Sequence, residues 1–250
     1  MRLAVLVLLV ASAAPVSAPR AQPADTLAVP IAAPDSVEAG VSRDPITGER
    51  ETVAAPAYRS FDARAVRAVY RVRQPVFVAL MRGANESAYP AFAAAAPVTA
   101  GVALARGGSL RPAVRVAVAE AITAGTVLAF KRVLRRPRPY RALSEIVPRD
   151  ERFVTGDAPL DPYSFPSGHA ALSFAVATSL ALNDDRLTVP AFVWATATSV
   201  SRVWHGVHYP SDIAVGAAIG AGAAVATRLL LPSGSGTDAA SVPFSVVVSF

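Results

Sequence analysis

Cysteine is absent from the chain, which excludes disulfide bonds and thiolate chemistry and is compatible with export. Lysine is almost absent. Of 24 basic residues only Lys131 is a lysine, and a lone lysine in an arginine-rich chain suggests a specific requirement at that position. Histidine is confined to His169, His205 and His208 in the second half. Charged residues make up only 17% of the chain, against 53% hydrophobic, and mean hydropathy is +0.40. Such a balance belongs to a membrane protein or an unusually apolar helical bundle. The net charge of +6 comes without a basic stripe interleaved with aromatics, so nucleic acid is not an expected partner. Arginines beside apolar segments suit a membrane surface and anionic phosphate groups instead.

At 250 residues one main domain is expected. Met1–Ala18 has Arg2, an apolar run from Leu3 to Val10 and then small residues, the layout of a secretory signal peptide. Residues 19–60 are rich in Pro, Ala and acidic side chains and are read as a flexible linker. Phe61–Met81 mixes arginines with apolar residues, as in an amphipathic helix at a membrane interface, with a break at Pro75. Five alanine-rich apolar segments follow: Ala88–Ala105, Pro112–Phe130, Ala170–Leu182, Thr188–Trp204 and Asp212–Leu231. Their composition favours helix over strand. The expected fold is therefore all-α: a membrane-embedded bundle of about five apolar core helices plus the N-terminal amphipathic helix, covering residues 61–231. Arg115 and Glu120 lie inside the second segment and should face helices or water rather than lipid. The tail, 232–250, begins with a Ser/Gly-rich linker, ends in an alternating aromatic stretch and has no assigned role.

Three stretches carry the chemistry. In Lys131–Pro139 the lysine closes a predicted helix, and Pro137 and Pro139 hold Arg138 in a rigid turn. In Pro166–His169, Ser167 is placed as a helix N-cap and Gly168 permits close approach of an anion to free backbone N–H groups. In Ser201–Asp212, Asp212 follows His208 by four residues and can accept the imidazole N–H, leaving the other nitrogen free to attack. Arg202 adds a further cation, and His205 reads as a packing residue. Three cations, two imidazoles, a Ser-Gly turn and a carboxylate suit an anion with several oxygens, phosphate first. A metal site of His205, His208 and Asp212 is the competing reading, and it leaves the cations unexplained. In an up-down bundle all three stretches fall at one end, continuous with the exported N-terminus. Arg106 and Arg111 in the opposite loop agree with a cytoplasmic location there.

Taken together, K-x6-R-P, P-S-G-H and S-R-x5-H-x3-D resemble the signature of the type 2 phosphatidic acid phosphatase and vanadium haloperoxidase superfamily. The resemblance implies that Lys131, Arg138, Ser167, Gly168 and Arg202 bind phosphate. It implies that His208 is the nucleophile, oriented by Asp212, and that His169 protonates the leaving oxygen. It implies no metal and no cofactor. The sequence around His169 resembles the membrane lipid phosphatases of that superfamily. The expectation is a lipid phosphate or lipid diphosphate phosphatase at the outer face of the inner membrane. The alternatives are a soluble periplasmic acid phosphatase, a vanadate-dependent haloperoxidase and a non-catalytic membrane scaffold.

Overall fold

The computed structural model describes residues 41–43, 50–52, 60–150 and 162–232. The expected signal peptide and nearly all of the tail lie outside the described residues. Within the stretch read as a linker, two short strands, β1 (Val41–Arg43) and β2 (Arg50–Thr52), pair antiparallel with Ser42 opposite Glu51. Among the described residues, everything else of regular structure is helical.

Helix α1 (Phe61–Tyr70) begins at Ser60, whose Oγ accepts the Ala63 N–H at 3.2 Å. Pro75 then opens α2 (Pro75–Ala105), where a missing N–H costs nothing. The break expected at Pro75 is present, but α2 starts there rather than at Ala88 and continues through Pro90 and Pro97. The polar run Arg82–Ser87 hides this continuity in the sequence. Those side chains have protein partners: Asn85 accepts from Arg202, and Ser87 Oγ accepts the Trp194 indole N–H at 3.1 Å.

The remaining elements are α3 (Arg111–Leu134), a one-turn α4 (Pro139–Ala142), α5 (Gly168–Asn183), a 3-10 turn (Asp185–Leu187), α6 (Thr188–Trp204) and α7 (Pro210–Leu230). Among the described residues five long helices and one amphipathic helix are thus present, as expected. Three of them, α2, α3 and α7, are long and apolar enough to cross a membrane. They carry exposed apolar side chains such as Leu104, Leu128 and Leu229, which a bilayer would cover.

Helix α5 is the centre of the bundle, contacting α2, α3, α6 and α7. Its 16 residues reach only about 24 Å, short of the roughly 30 Å of a bilayer core. It needs no lipid face, because Ala170, Ala171, Ser173, Ala175 and Ala177 are buried on all sides. Small residues also allow α7 to approach closely. A Cβ at Gly216 would lie 2.5 Å from the Ser167 carbonyl oxygen, and one at Gly220 would lie 1.9 Å from that of Ala171.

The placement of α1 corrects one expectation. Its apolar side, Ala63 and Val66, is buried against Leu143, Ile146, Val203 and Tyr209 rather than facing lipid. Protein supplies the apolar partner, and α1 becomes a cover over the end of the bundle where the three motif stretches lie.

Candidate functional site

The backbone places the motif residues before their side chains do. Helix α3 ends at Arg135, which takes a left-handed conformation (φ 42°) and caps back to the Lys131 carbonyl. Proline at 139 then holds Arg138 extended (φ −72°, ψ 154°), so its side chain turns under the bundle end. Ser167 caps α5 through the Ala170 N–H, and its own N–H donates to the Asp212 carbonyl at 3.0 Å. The turn after α6 depends on Gly206, whose φ of +75° favours glycine and whose added Cβ would lie 2.6 Å from Ile146. That turn lets the His208 N–H reach back to the Arg202 carbonyl at 3.3 Å.

Around His208 the side chains close up. Arg138 is fully buried, and its Nη1 lies 2.9 Å from the Val207 carbonyl and 3.2 Å from His208 Nε2. A guanidinium can only donate, so Nε2 holds the lone pair and the imidazole proton sits on Nδ1. Nδ1 faces Asp212 Oδ2 at 3.4 Å, slightly long for a hydrogen bond. Asp212 is itself wholly buried; its Oδ2 accepts the Tyr209 N–H at 2.8 Å and its Oδ1 accepts from Arg136 at 2.7 Å.

The other motif residues join this centre through shared partners. Arg202 is buried and donates to Asn85 and, at 3.0 Å, to Asp150. One turn along α2 from Asn85, the Tyr89 ring meets the His169 imidazole edge-on, with centroids 4.9 Å apart. Lys131 Nζ donates to the Tyr163 carbonyl at 2.8 Å, tying the end of α3 to the segment that leads into Ser167. All eight predicted site residues therefore occupy one end of the bundle. His205 is turned elsewhere. Its Nδ1 donates to the Ser201 carbonyl at 2.7 Å and its ring packs on Trp204, so it is the packing residue the sequence suggested. Burial holds its imidazole below the ordinary value of 6.5, with Arg202 pushing the same way.

Several residues of this neighbourhood escaped the sequence reading. Asn85 fell between two predicted segments, and Tyr89 lay inside the segment Ala88–Ala105 without an assigned role. Asp150 looked like loop charge, and Arg149 beside it is stacked over Tyr70 and Trp204 at 3.8 and 4.2 Å. Arg136 looked like one more arginine of a basic run. It covers the Tyr209 ring at 4.0 Å, and burial pushes the Tyr209 phenol up to about 12, leaving it neutral.

A helical membrane bundle that gathers guanidinium groups, a lysine and a carboxylate-backed imidazole at one end defines the class of this protein. Residues 112–233, just under half of the chain, match the family model described as PAP2 superfamily. Among curated relatives, it is 42% identical to the bacitracin transport permease protein BcrC of Bacillus licheniformis over 57 residues, 23% of this chain and 28% of that one. It is 39% identical to the decaprenylphosphoryl-5-phosphoribose phosphatase of Mycobacterium tuberculosis over 92 residues, 36% of this chain and 45% of the relative. The chain thus spans under half the length of either relative. In fold it is similar to the first transmembrane PAP2 type phosphatidylglycerolphosphate phosphatase from Bacillus subtilis (TM-score 0.53, 17% identity). That match covers 70% of this chain and 89% of the other.

Proposed function

We propose that the chain is a metal-independent phosphatase that removes a phosphate from a lipid phosphate or lipid diphosphate through a phosphohistidine on His208. The observation that carries the reading is the state of that imidazole: its Nε2 lone pair faces the buried Arg138 guanidinium while Nδ1 is backed by Asp212. A neutral, oriented imidazole aimed at a cation is what an attack on an anionic phosphorus centre requires.

In this mechanism the phosphate displaces the imidazole as the partner of Arg138, and Lys131, Arg202, the Ser167 hydroxyl and the backbone N–H of Gly168 take its other oxygens. Nε2 of His208 attacks phosphorus, the bond from phosphorus to the lipid oxygen breaks, and His169 gives that oxygen its proton. The resulting imidazolium is stabilised by Asp212. Water then attacks the phosphohistidine, His169 takes the proton, and His208 leaves as neutral imidazole with release of inorganic phosphate. Positively charged side chains supply the electrostatic stabilisation throughout.

The lipid nature of the substrate is supported by the three membrane-length helices and by the name of the mycobacterial relative, a phosphatase of a polyprenyl-linked sugar phosphate. The exposed leucines of α2 and α7 weigh against a soluble periplasmic acid phosphatase. With an exported N-terminus, the site would face away from the cytoplasm at the inner membrane.

The test is phosphate release by purified protein from micelles of phosphatidate, phosphatidylglycerophosphate or undecaprenyl diphosphate. Release from at least one lipid, undiminished by EDTA, inhibited by vanadate and abolished in His208→Ala, is expected. No release from any of the three, or an EDTA loss that a divalent metal reverses, would overturn the proposal.

A further inference from the structure

Asp212 has a second oxygen that the phosphohistidine reading leaves unused. Oδ2 takes the Tyr209 N–H and faces His208, whereas Oδ1 accepts from Arg136 Nη1 at 2.7 Å. The same Nη1 donates to Ser211 Oγ at 2.7 Å, and Nη2 donates to Asp62 Oδ2 at 2.8 Å. Asp62 lies in the first turn of α1. Its Oδ1 accepts the Ser211 N–H at 3.1 Å, and its Oδ2 also accepts the Ser211 hydroxyl, so it caps the start of α7 from outside that helix. One planar guanidinium thus grips two carboxylates at once, with the Tyr209 ring against its face.

We propose that Arg136 and Asp62 are positioning residues for the reaction: Asp62 holds Arg136, Arg136 holds Oδ1 of Asp212, and docking of α1 thereby fixes the carboxylate behind His208. The proposal rests on the phosphohistidine reading above. Its physical basis is the 3.4 Å separation between His208 Nδ1 and Asp212 Oδ2. At that distance a small rotation of the carboxylate decides whether the hydrogen bond closes, and Oδ1 is the handle that sets the rotation. A buried carboxylate also needs a cation close by to stay ionised beside a neutral imidazole, and Arg136 stands at 2.7 Å. Arg136 acts through Asp212, since its own contacts are Asp62, Ser211, Asp212 and Tyr209. Burial of Ala63 and Val66 seats α1, and Asp62 converts that seating into alignment.

The experiment uses the full chain in detergent micelles with phosphatidate and with p-nitrophenyl phosphate. Wild type and Asp212→Asn come first. Release that Asp212→Asn loses upholds the phosphohistidine reading, whereas no release by wild type overturns that reading and the latch with it. Once release is seen, Arg136→Ala should lower kcat about a hundredfold with KM little changed, as expected of lost alignment rather than lost binding. Free guanidinium should restore part of that loss, because the Arg136 side chain is 30% exposed and its place can be refilled. Arg136→Lys, which keeps the charge and guards against misfolding, should fall between the two. Asp62→Asn should lower kcat by about tenfold alone and add little to Arg136→Ala, since both act through one contact. An unchanged kcat in Arg136→Ala and Arg136→Lys, an effect on KM alone, or additivity of Asp62→Asn with Arg136→Ala would each overturn the latch while leaving the phosphatase reading intact.

Discussion

His208 and His169 carry opposite demands in the proposed mechanism: one must be neutral to attack, the other protonated to release the lipid alcohol. The pH–rate profile should therefore be bell-shaped, with limbs that belong to the pair. His169→Ala should cripple hydrolysis of a lipid phosphate but spare more activity on p-nitrophenyl phosphate, whose leaving group needs little protonation. Equal losses on both substrates would remove His169 from the proton-donor role. His205 makes a different prediction, about stability. Its folded pKa is held below the unfolded value, so the unfolded chain takes up a proton first as pH falls. Stability contributed by the neutral ring is complete above about 6.5 and drains away as pH drops from there toward the folded value. The melting temperature in detergent should fall across that window, and His205→Gln should flatten the fall. A melting curve as steep in the variant as in wild type would assign the pH dependence elsewhere.

The helices set how closely these residues can meet. Gly216 and Gly220 let α7 lie against the backbone of α5 at Ser167 and Ala171, so the start of α5 and the start of α7 share one level. An alanine at 220 would drive its Cβ into the Ala171 carbonyl, and the helices would have to separate. Gly220→Ala should cost about 1–3 kcal/mol or more by overpacking. Gly216→Ala should in addition lower activity, because it displaces Ser167. Gly222 is the control: a Cβ there meets nothing within 4 Å, so Gly222→Ala should be neutral or gain roughly 1 kcal/mol in helix propensity. Thermal unfolding of the three variants in one detergent decides the matter, and equal melting temperatures would refute the close approach. Much of this level was legible beforehand. The ends of α6 match the apolar run Thr188–Trp204, and the Ser167 cap lies where side-chain chemistry put it. The start of α2 was not, because the sequence interrupts its apolar face with polar residues whose partners lie on α6.

For the whole molecule, the membrane reading yields a labelling experiment that the absence of cysteine makes clean. Val147 is 62% exposed in the loop beside the site, and Ser109 is exposed in the turn between α2 and α3 at the other end. A single cysteine at Val147 should react with an impermeant thiol reagent in intact spheroplasts, and one at Ser109 only after lysis. The reverse pattern would place the site in the cytoplasm. Release of the protein from membranes by carbonate alone would remove the bilayer from the account.

Composition and order of residues by themselves determined the class of fold and pointed to the chemistry proposed for it. Apolar runs with few β-branched stretches favour buried or lipid-covered helices, and the types and spacing of Lys131, Arg138, His169, Arg202, His208 and Asp212 are the ground on which an anion site is proposed. What only the tertiary structure decided is which charges meet. Arg135, Arg136 and Arg138 are near-equivalent letters in a basic run, yet a left-handed residue and two prolines send Arg136 to Asp212 and Arg138 to His208. Asp62 and Asp212 are 150 positions apart in the chain and are brought to one guanidinium by the docking of α1. Such pairings depend on the relative placement of helices distant in sequence, and no local pattern encodes that placement.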